Sequence, residues 1–304
     1  MSEMRLVFLG TSGGMPTKKR GLPAVAVRMK SSLILFDCGE GTQRQFLQAR
    51  IGLKPGFHIF LSHLHGDHVL GIPGMLFTLS MNGRKEEVNI YGPHQTLDFL
   101  KAVLRPQFGS LSFKVIGHEM EPGDTVRIDN VTVSCFQTDH TTSSLGYVLK
   151  EDERPGKMRQ EFLDSLGVPR GPLWGRLQRG ESITFGGRVI TPDEAMEPPK
   201  PGRKIVYTGD TRPCEAVVQA SRQADVLIHD ATFESKLRAK ALEEGHSTAE
   251  DAAIAAAKAS VRRLYLFHIS PRYEETDLLL IEARAVFPES YVAEDFMIYV
   301  VPLR

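Results

Sequence analysis

The sequence lacks several features that would indicate particular classes of protein. Only three of its 304 residues are cysteines, at Cys38, Cys135 and Cys214, and no two form a CxxC pair. An odd number of scattered thiols argues against a disulfide-bonded secreted scaffold and favours a reducing, cytoplasmic environment. No stretch approaches 18 consecutive apolar residues, so we expect no membrane span. The first apolar run is also too short for a signal peptide and ends at Gly10.

Net charge is also absent, because 37 basic residues balance 37 acidic ones. The total therefore gives no argument for nucleic-acid binding, and only local charge can give one. Residues 11–36 carry five cations and no acid, and residues 154–188 carry seven cations against three acids. Basic patches of this kind are what contact with a phosphate backbone requires.

The remaining composition is that of a globular protein, with 41% apolar and 24% charged residues. Short apolar strands alternate with helical segments up to about residue 149, and the alternation resumes after residue 202. Residues 150–202 are rich in proline and glycine and have few apolar runs, which predicts an inserted flexible arm outside the core. Residues 248–259 give the clearest helix, with Ser247 and Glu250 as a predicted capping box. We expect one α/β domain over residues 1–304 that carries this arm.

The strongest motif is His63-Leu64-His65-Gly66-Asp67-His68, which directly follows a predicted strand. Metal ligands must converge to within about 2.0–2.2 Å of one ion, and a loop at a strand end can direct several side chains into one cleft. Imidazole together with carboxylate favours zinc, with manganese or iron as alternatives. The motif predicts a metal site rather than unrelated polar residues on a surface loop.

Three further candidate ligands each follow a predicted strand: His140 after SCFQTD, Asp210 after IVYTG, and His268 after LYLF. In layered α/β folds, sites collect outside the ends of strands. Any one of these residues alone is equally well explained as a core or surface residue. Their recurrence at three strand ends favours a shared metal centre.

HLHGDH followed by single ligands at strand ends resembles the metallo-β-lactamase superfamily. Within it, FLGTSGGMPT, YTGDTRP, GHSTAEDAA and HISPRY are similar to the ribonuclease Z family of tRNA 3′-processing endonucleases. The resemblance extends over almost the whole chain. It implies a four-layer αβ/βα sandwich that holds two Zn²⁺ ions per subunit, with Mn²⁺ as the alternative metal.

The resemblance also implies a role for each motif residue. His63, His65 and His140 are expected to hold one ion, Asp67, His68 and His268 the other, and Asp210 to bridge them. Asp67 is further expected to accept the proton of the attacking water. These expectations come from motif position, not from spacing.

Outside the ligand set, the resemblance implies that His246 protonates the leaving group and that a carboxylate orients it. The corresponding motif is His229-Asp230-Ala231-Thr232, in which aspartate replaces the usual glutamate and is one methylene shorter. An exposed loop histidine and a turn carboxylate remain alternatives for His246 and Asp230. Asp37 is a candidate to fix the tautomer of a ligand histidine, or a turn residue.

Substrate contacts are predicted at Arg272 and in the arm, where Trp174, Arg176 and Arg179 lie in the segment GPLWGRLQRG. The resemblance implies that the arm binds precursor tRNA and that the protein is a homodimer. One alternative for the arm is a solvated loop rich in proline and glycine. An alternative role for Trp174 is to pack the arm onto its own domain.

The expected function is that of a zinc-dependent endoribonuclease that removes the 3′ trailer from precursor tRNA. It would leave a 3′-hydroxyl on the tRNA and a 5′-phosphate on the trailer. One alternative is a small-molecule phosphodiesterase, arylsulfatase-like or lactonase hydrolase on the same fold. Another is a metal-stabilised RNA-binding or scaffold protein without turnover.

Overall fold

The computed structural model describes residues 3–52, 54–105 and 109–304. They form two compact units, of which the larger contains the chain up to residue 150 together with 204–302. The smaller contains residues 151–203 and the last two residues.

The first sheet of the larger unit has seven strands in the order β16-β1-β2-β3-β4-β5-β6. Their bounds are β1 Arg5–Gly10, β2 Ala24–Arg28, β3 Ser32–Phe36, β4 Gly56–Phe60, β5 Val88–Gly92, β6 Val115–Glu119 and β16 Ile298–Val300. The strands from β3 to β6 run parallel, and β16, β1, β2 and β3 pair antiparallel. Adjacent parallel strands bring their carboxyl ends to one edge of a sheet.

The second sheet also has seven strands, in the order β15-β14-β13-β12-β9-β8-β7. Their bounds are β7 Thr125–Ile128, β8 Val131–Gln137, β9 Leu145–Glu151, β12 Lys204–Tyr207, β13 Val226–Asp230, β14 Leu264–Phe267 and β15 Ser290–Val292. Strands β12 to β15 run parallel, so the ends of β12, β13 and β14 also lie together.

Both faces of each sheet are apolar, because the side chains that point to one face and those that point to the other are both hydrophobic. In β1, Leu6 and Phe8 join a core that also contains Tyr207 and Phe267 of the second sheet, so the two sheets pack face to face. Val7 and Leu9 point to the opposite face and pack with helices. Because successive side chains of a strand point to opposite faces, both sheets are covered on both sides, and the four-layer αβ/βα sandwich is confirmed.

Helices form the outer layers of the sandwich. Their bounds are α1 Thr42–Gln48, α2 Gly66–Val69, α3 Ile72–Met81, α4 Thr96–Val103, α8 Glu215–Ser221, α9 Arg238–Glu244, α10 Ala249–Ala259 and α11 Asp277–Val286. The small buried side chains of Ala252, Ala253 and Ala256 let α10 pack closely on the second sheet. Its observed N-cap is Thr248, whose capping box uses Asp251. The predicted pair of Ser247 and Glu250 was therefore wrong by one residue.

The smaller unit contains α5 Gln160–Ser165, α6 Pro172–Gln178, the hairpin β10 Ile183–Phe185 and β11 Arg188–Ile190, and α7 Pro192–Ala195. Leu163, Val168, Leu177, Ile183 and Ile190 are fully buried in a core of its own. The sequence gives no sign of this small core, because the apolar residues of the segment are spread singly over several short elements and form no run.

No helix in the three described ranges combines the length and the apolar character needed to cross a bilayer.

Candidate metal centre

The HLHGDH motif begins in the loop after β4 and ends in helix α2. His63 and His65 lie in the loop, whereas Asp67 and His68 lie in the single turn of the helix. The expectation of a single loop was therefore only half right. His140 follows the end of β8, Asp210 follows β12, and His268 follows β14.

These strand ends converge at the seam between the two sheets. The ligand atoms of His63, His65 and His140 lie within 4.8 Å of one another, as do those of Asp67, His68 and His268. Asp210 lies between the groups. Its Oδ2 is 3.7 Å from His63 Nε2 and 3.3 Å from both His68 Nε2 and His268 Nε2.

Hydrogen bonds outside this cluster fix how its histidines point. His68 Nδ1 lies 2.7 Å from Asp37 Oδ2, and His140 Nδ1 lies 2.8 Å from the carbonyl oxygen of Gly245. Since neither acceptor carries a proton to give, both rings donate Nδ1–H and leave Nε2 as a lone pair that faces the centre. Asp37 also accepts from Tyr207 Oη at 2.6 Å, which holds this carboxylate in the core.

Two atoms of the cluster have no hydrogen-bond partner within the described part of the chain although they are buried. They are His63 Nε2 and Asp210 Oδ1. Buried polar atoms are normally paired. Burial and the neighbouring His68 lower the pKa of His63, and burial lowers the pKa of His140. Buried imidazole and carboxylate atoms with unused lone pairs aimed at one point fit a divalent cation.

His246 and Asp230 form a pair beside the cluster. His246 Nδ1 is 2.9 Å from Asp230 Oδ2, and the ring is mostly buried. Burial disfavours its charge, but the charge and hydrogen bond of Asp230 outweigh this and raise the pKa of His246 to about 9. The shorter aspartate thus reaches the histidine, because Asp230 ends β13 while His246 lies on the loop between α9 and α10.

Sequence reasoning missed several residues that shape this site. The backbone N–H of Gly14 donates to Asp67 Oδ2 at 2.9 Å, and a Cβ at Gly13 would lie 2.5 Å from the His268 ring. Gly209 has φ +60°, and a Cβ there would lie 2.4 Å from Ser62 Cβ. The dense glycines in GTSGG and YTGD were the available signal, since glycine marks close backbone approach.

Comparisons with known proteins agree with this geometry. Residues 33–157 and 181–269 match the beta-lactamase superfamily domain. The chain is 46% identical over 302 residues to a ribonuclease Z from Methanosarcina acetivorans, which covers 99% of each chain. It is 43% identical to a ribonuclease Z from Myxococcus xanthus over 100% of both. The crystal structure of human tRNase Z, short form, matches with a TM-score of 0.71 at 29% identity, covering 99% of this chain and 100% of that one.

The chain belongs to the ribonuclease Z family. The fold of that family implies a divalent metal site, and the His/Asp clusters described above are where this chain could hold it.

Arg272 is exposed on the loop after β14. Its Nε lies 3.2 Å from Ser270 Oγ, and its guanidinium group lies 4.8 Å from the ring centroid of Phe233. That ring in turn contacts His246, with centroids 6.2 Å apart. Phe233 thus contacts both the Arg272 cation and the candidate acid.

The basic segment 11–36 is only partly available to a ligand. Arg20 is largely buried and bonds to Thr11 and the carbonyl of Ala293, whereas Lys18 and Lys19 are exposed. Both lysines line a cleft of about 450 Å³ together with Arg20, Pro271 and Tyr273. The sequence alone could not separate the structural arginine from the exposed lysines.

The predicted arm residues lie on or next to α6. Trp174 is half-buried on the core of the smaller unit, and its Nε1–H donates to the carbonyl of Val168. Arg176 and Arg179 are exposed and both pair with Glu181, at 3.0 and 3.1 Å. Trp174 therefore packs within the smaller unit, while the two arginines remain at the surface.

Proposed function

We infer that this protein is a metal-dependent endoribonuclease of the ribonuclease Z type that processes the 3′ end of precursor tRNA. The observation that carries this conclusion is the identity of 42–47% to proteins named ribonuclease Z along nearly the full chain. A family model of the superfamily domain alone would leave the substrate open, because one fold supports many activities. We propose a cut that leaves a 3′-hydroxyl on the tRNA and a 5′-phosphate on the trailer.

We propose that the centre holds two Zn²⁺ ions. His63, His65 and His140 would hold one, Asp67, His68 and His268 the other, and Asp210 would bridge them, which its central position between the groups supports. When bound, such ions supply Lewis-acid stabilisation of the phosphate and lower the pKa of a water to about 7. Mn²⁺ is the alternative metal.

Asp67 is the proposed acceptor of the proton of the attacking water. The Gly14 N–H fixes its Oδ2, and His268 Nε2 lies 3.4 Å from the same oxygen. A carboxylate held by a backbone donor keeps one orientation through the reaction.

His246 is the proposed donor of a proton to the leaving 3′-oxygen. Its Nδ1–H bonds to Asp230, so Nε2 is the atom that can hold and transfer a proton. A positioned acid of this kind contributes about 10²–10⁴-fold to the rate. Arg272, stacked on the neighbouring Phe233, is proposed to bind a phosphate beside it.

We propose that the arm, residues 150–202, binds the tRNA at a distance from the cut. The net positive charge of residues 154–188 supports this. Arg176 and Arg179 would exchange part of their pairing with Glu181 for backbone phosphates. Trp174 would act by holding α6 in place, since its ring packs on the unit itself.

We further propose a homodimer located in the cytoplasm. The three cysteines are free, which suits a reducing compartment. The homodimer rests on the resemblance to the ribonuclease Z family. Sedimentation equilibrium over a range of concentrations tests the dimer.

The function is tested with purified protein and an end-labelled precursor tRNA, with and without a chelator. We expect one cut at the 3′ end of the mature tRNA, a 5′-phosphate on the trailer, and loss of cleavage that added Zn²⁺ restores. A matched tRNA that lacks a trailer should remain intact. Cleavage of small phosphodiesters without any cleavage of the precursor would contradict the proposal.

A further inference from the structure

Two carboxylates beside the metal centre each orient one histidine directly. Asp37 accepts from His68, and Asp230 accepts from His246. A second ligand histidine lies near each carboxylate without a direct hydrogen bond to it: His63 near Asp37, and His268 near Asp230. Each of these two rings instead meets a hydroxyl group.

Thr232 lies between Asp230 and His268. Its Oγ1 is 2.7 Å from Asp230 Oδ1 and 2.9 Å from His268 Nδ1. A hydroxyl has one proton, and Asp230 can only accept one. Thr232 therefore donates to Asp230 and accepts from His268, which places the ring proton on Nδ1 and leaves Nε2 to face the centre.

Ser62 repeats this arrangement on the first sheet. Its Oγ is 2.8 Å from Asp37 Oδ2 and 3.0 Å from His63 Nδ1. By the same reasoning Ser62 donates to Asp37 and accepts Nδ1–H from His63. The free Nε2 of His63 is one of the two buried atoms without a partner.

We propose that the hydroxyls of Thr232 and Ser62 are positioning groups that extend the orienting effect of Asp230 and Asp37 to a second histidine each. Without its carboxylate, either hydroxyl could turn its proton toward the ring and select the tautomer whose Nε2–H repels a cation. One carboxylate thereby sets two rings: Asp230 orients the candidate acid and one ligand, and Asp37 orients two ligands. This inference rests on the proposed metal centre.

Both residues are buried, and the two contacts of each hydroxyl satisfy it in the absence of solvent. Thr232 is further held by its backbone N–H, which donates to Asp230 at 3.0 Å, and the Ser62 N–H donates to Asp37 at 2.7 Å. Backbone and side chain thus bind the same carboxylate, which leaves the hydroxyl little freedom to rotate away. Loss of such outer partners costs about 10–100-fold in metal affinity.

The test measures Zn²⁺ binding by competition with a chromogenic chelator, which requires no catalysis. Thr232→Val keeps the shape and removes the hydroxyl, and Thr232→Ser keeps the hydroxyl. We expect Thr232→Val and Ser62→Ala each to weaken the binding of one of the two Zn²⁺ ions about 10–100-fold. Thr232→Ser should bind Zn²⁺ with the affinity of the parent. Thr96→Val is the matched control, because its buried hydroxyl donates to the Pro93 carbonyl away from the centre.

Parent-like Zn²⁺ affinity in Thr232→Val, or an equal loss in the valine and serine variants, would overturn the inference. If Thr232→Val does not fold, Ser62→Ala decides the question, and parent-like affinity there overturns it. Cleavage of precursor tRNA by the parent is scored separately. A parent that binds Zn²⁺ but does not cleave would refute the proposed function and leave the assignment of the two hydroxyls intact.

Discussion

At the scale of single residues, Asp230 has more contacts than an orienting carboxylate needs. Its Oδ2 accepts from His246 and from the backbone N–H of Thr211, and its Oδ1 accepts twice from Thr232. Four bonds satisfy the lone pairs of a fully buried carboxylate and lock its position. The shorter aspartate side chain is long enough to bind His246, because Asp230 ends β13 next to the loop that carries His246.

Asp230→Asn should slow cleavage of precursor tRNA by about 10²–10⁴-fold. The amide cannot accept four hydrogen bonds, so His246 loses its orientation. A p-nitrophenyl phosphodiester, whose leaving group needs no proton, should lose much less. Both rates are measured at saturating Zn²⁺ so that metal occupancy stays constant, and equal losses on the two substrates would count against His246 as the acid.

Gly209→Ala should destabilise the fold more than Gly41→Ala. Both glycines have positive φ, which costs an alanine about 1–2 kcal/mol. A Cβ at Gly41 meets open space, whereas one at Gly209 lies 2.4 Å from Ser62 Cβ and adds about 1–3 kcal/mol of overpacking. Urea unfolding of both variants measures the difference, and equal free energies of unfolding would refute the close approach.

His58 should make the protein less stable as the pH falls below about 6.5. Burial lowers the pKa of His58 to about 4, while the unfolded chain titrates near 6.5. Between these values the unfolded state binds a proton that the folded state does not, so the free energy of unfolding decreases with falling pH.

The shift corresponds to at most about 3 kcal/mol, and to less because the ring is only half-buried. His58→Gln should flatten this part of the curve of unfolding free energy against pH. Denaturant titrations at pH 7 and pH 4.5 measure the effect. The same slope in both proteins would show that His58 does not titrate in this way.

At the scale of elements, the sequence predicted which segments form strands better than it predicted where helices begin. The ligands could be found because each follows an apolar strand. Gly71, Pro73 and Gly74 are residue types that commonly end a helix, yet α3 begins at Ile72, because proline is tolerated in a first helical turn. The hydrogen bonds of Ser62 and Thr232 could not be predicted, since they depend on which loops meet in the folded chain.

Thr248→Ala should destabilise α10 by about 0.5–2 kcal/mol. The Thr248 hydroxyl accepts from the Asp251 N–H and donates to its carboxylate, whereas Ser247 instead donates to the carbonyl of Thr211. Glu250→Gln is the control and should leave the stability unchanged. Thermal unfolding compares the two, and a larger effect at Glu250 would restore the cap predicted from the sequence.

At the scale of the whole molecule, the two sheets supply ligands to one seam. His63, His65, Asp67 and His68 come from the first sheet, and His140, Asp210 and His268 come from the second. The centre therefore exists only when the sandwich is closed, and ions bound there would stabilise the closed fold. This grouping of the ligands could be predicted only from the family resemblance, because spacing along the sequence does not show which strand ends meet.

The smaller unit, by contrast, can be removed at a defined place. Its base is a pair of antiparallel segments, in which Arg154 and Lys200 exchange two backbone hydrogen bonds of 2.8 Å and Glu151 forms a buried ion pair with Arg203. A short linker can therefore join residues 154 and 200 without stretching the chain. Replacing 155–199 with Gly-Gly-Ser keeps both contacts at the base.

This deletion should abolish cleavage of precursor tRNA and spare cleavage of a p-nitrophenyl phosphodiester within about 10-fold. Long RNA needs binding energy away from the cut to be positioned, whereas a small ester needs only the metal centre. Zn²⁺ content and circular dichroism serve as controls for the fold. If both activities vanish while the fold and the metal persist, the arm contributes to the centre itself; if both survive, the tRNA is held elsewhere.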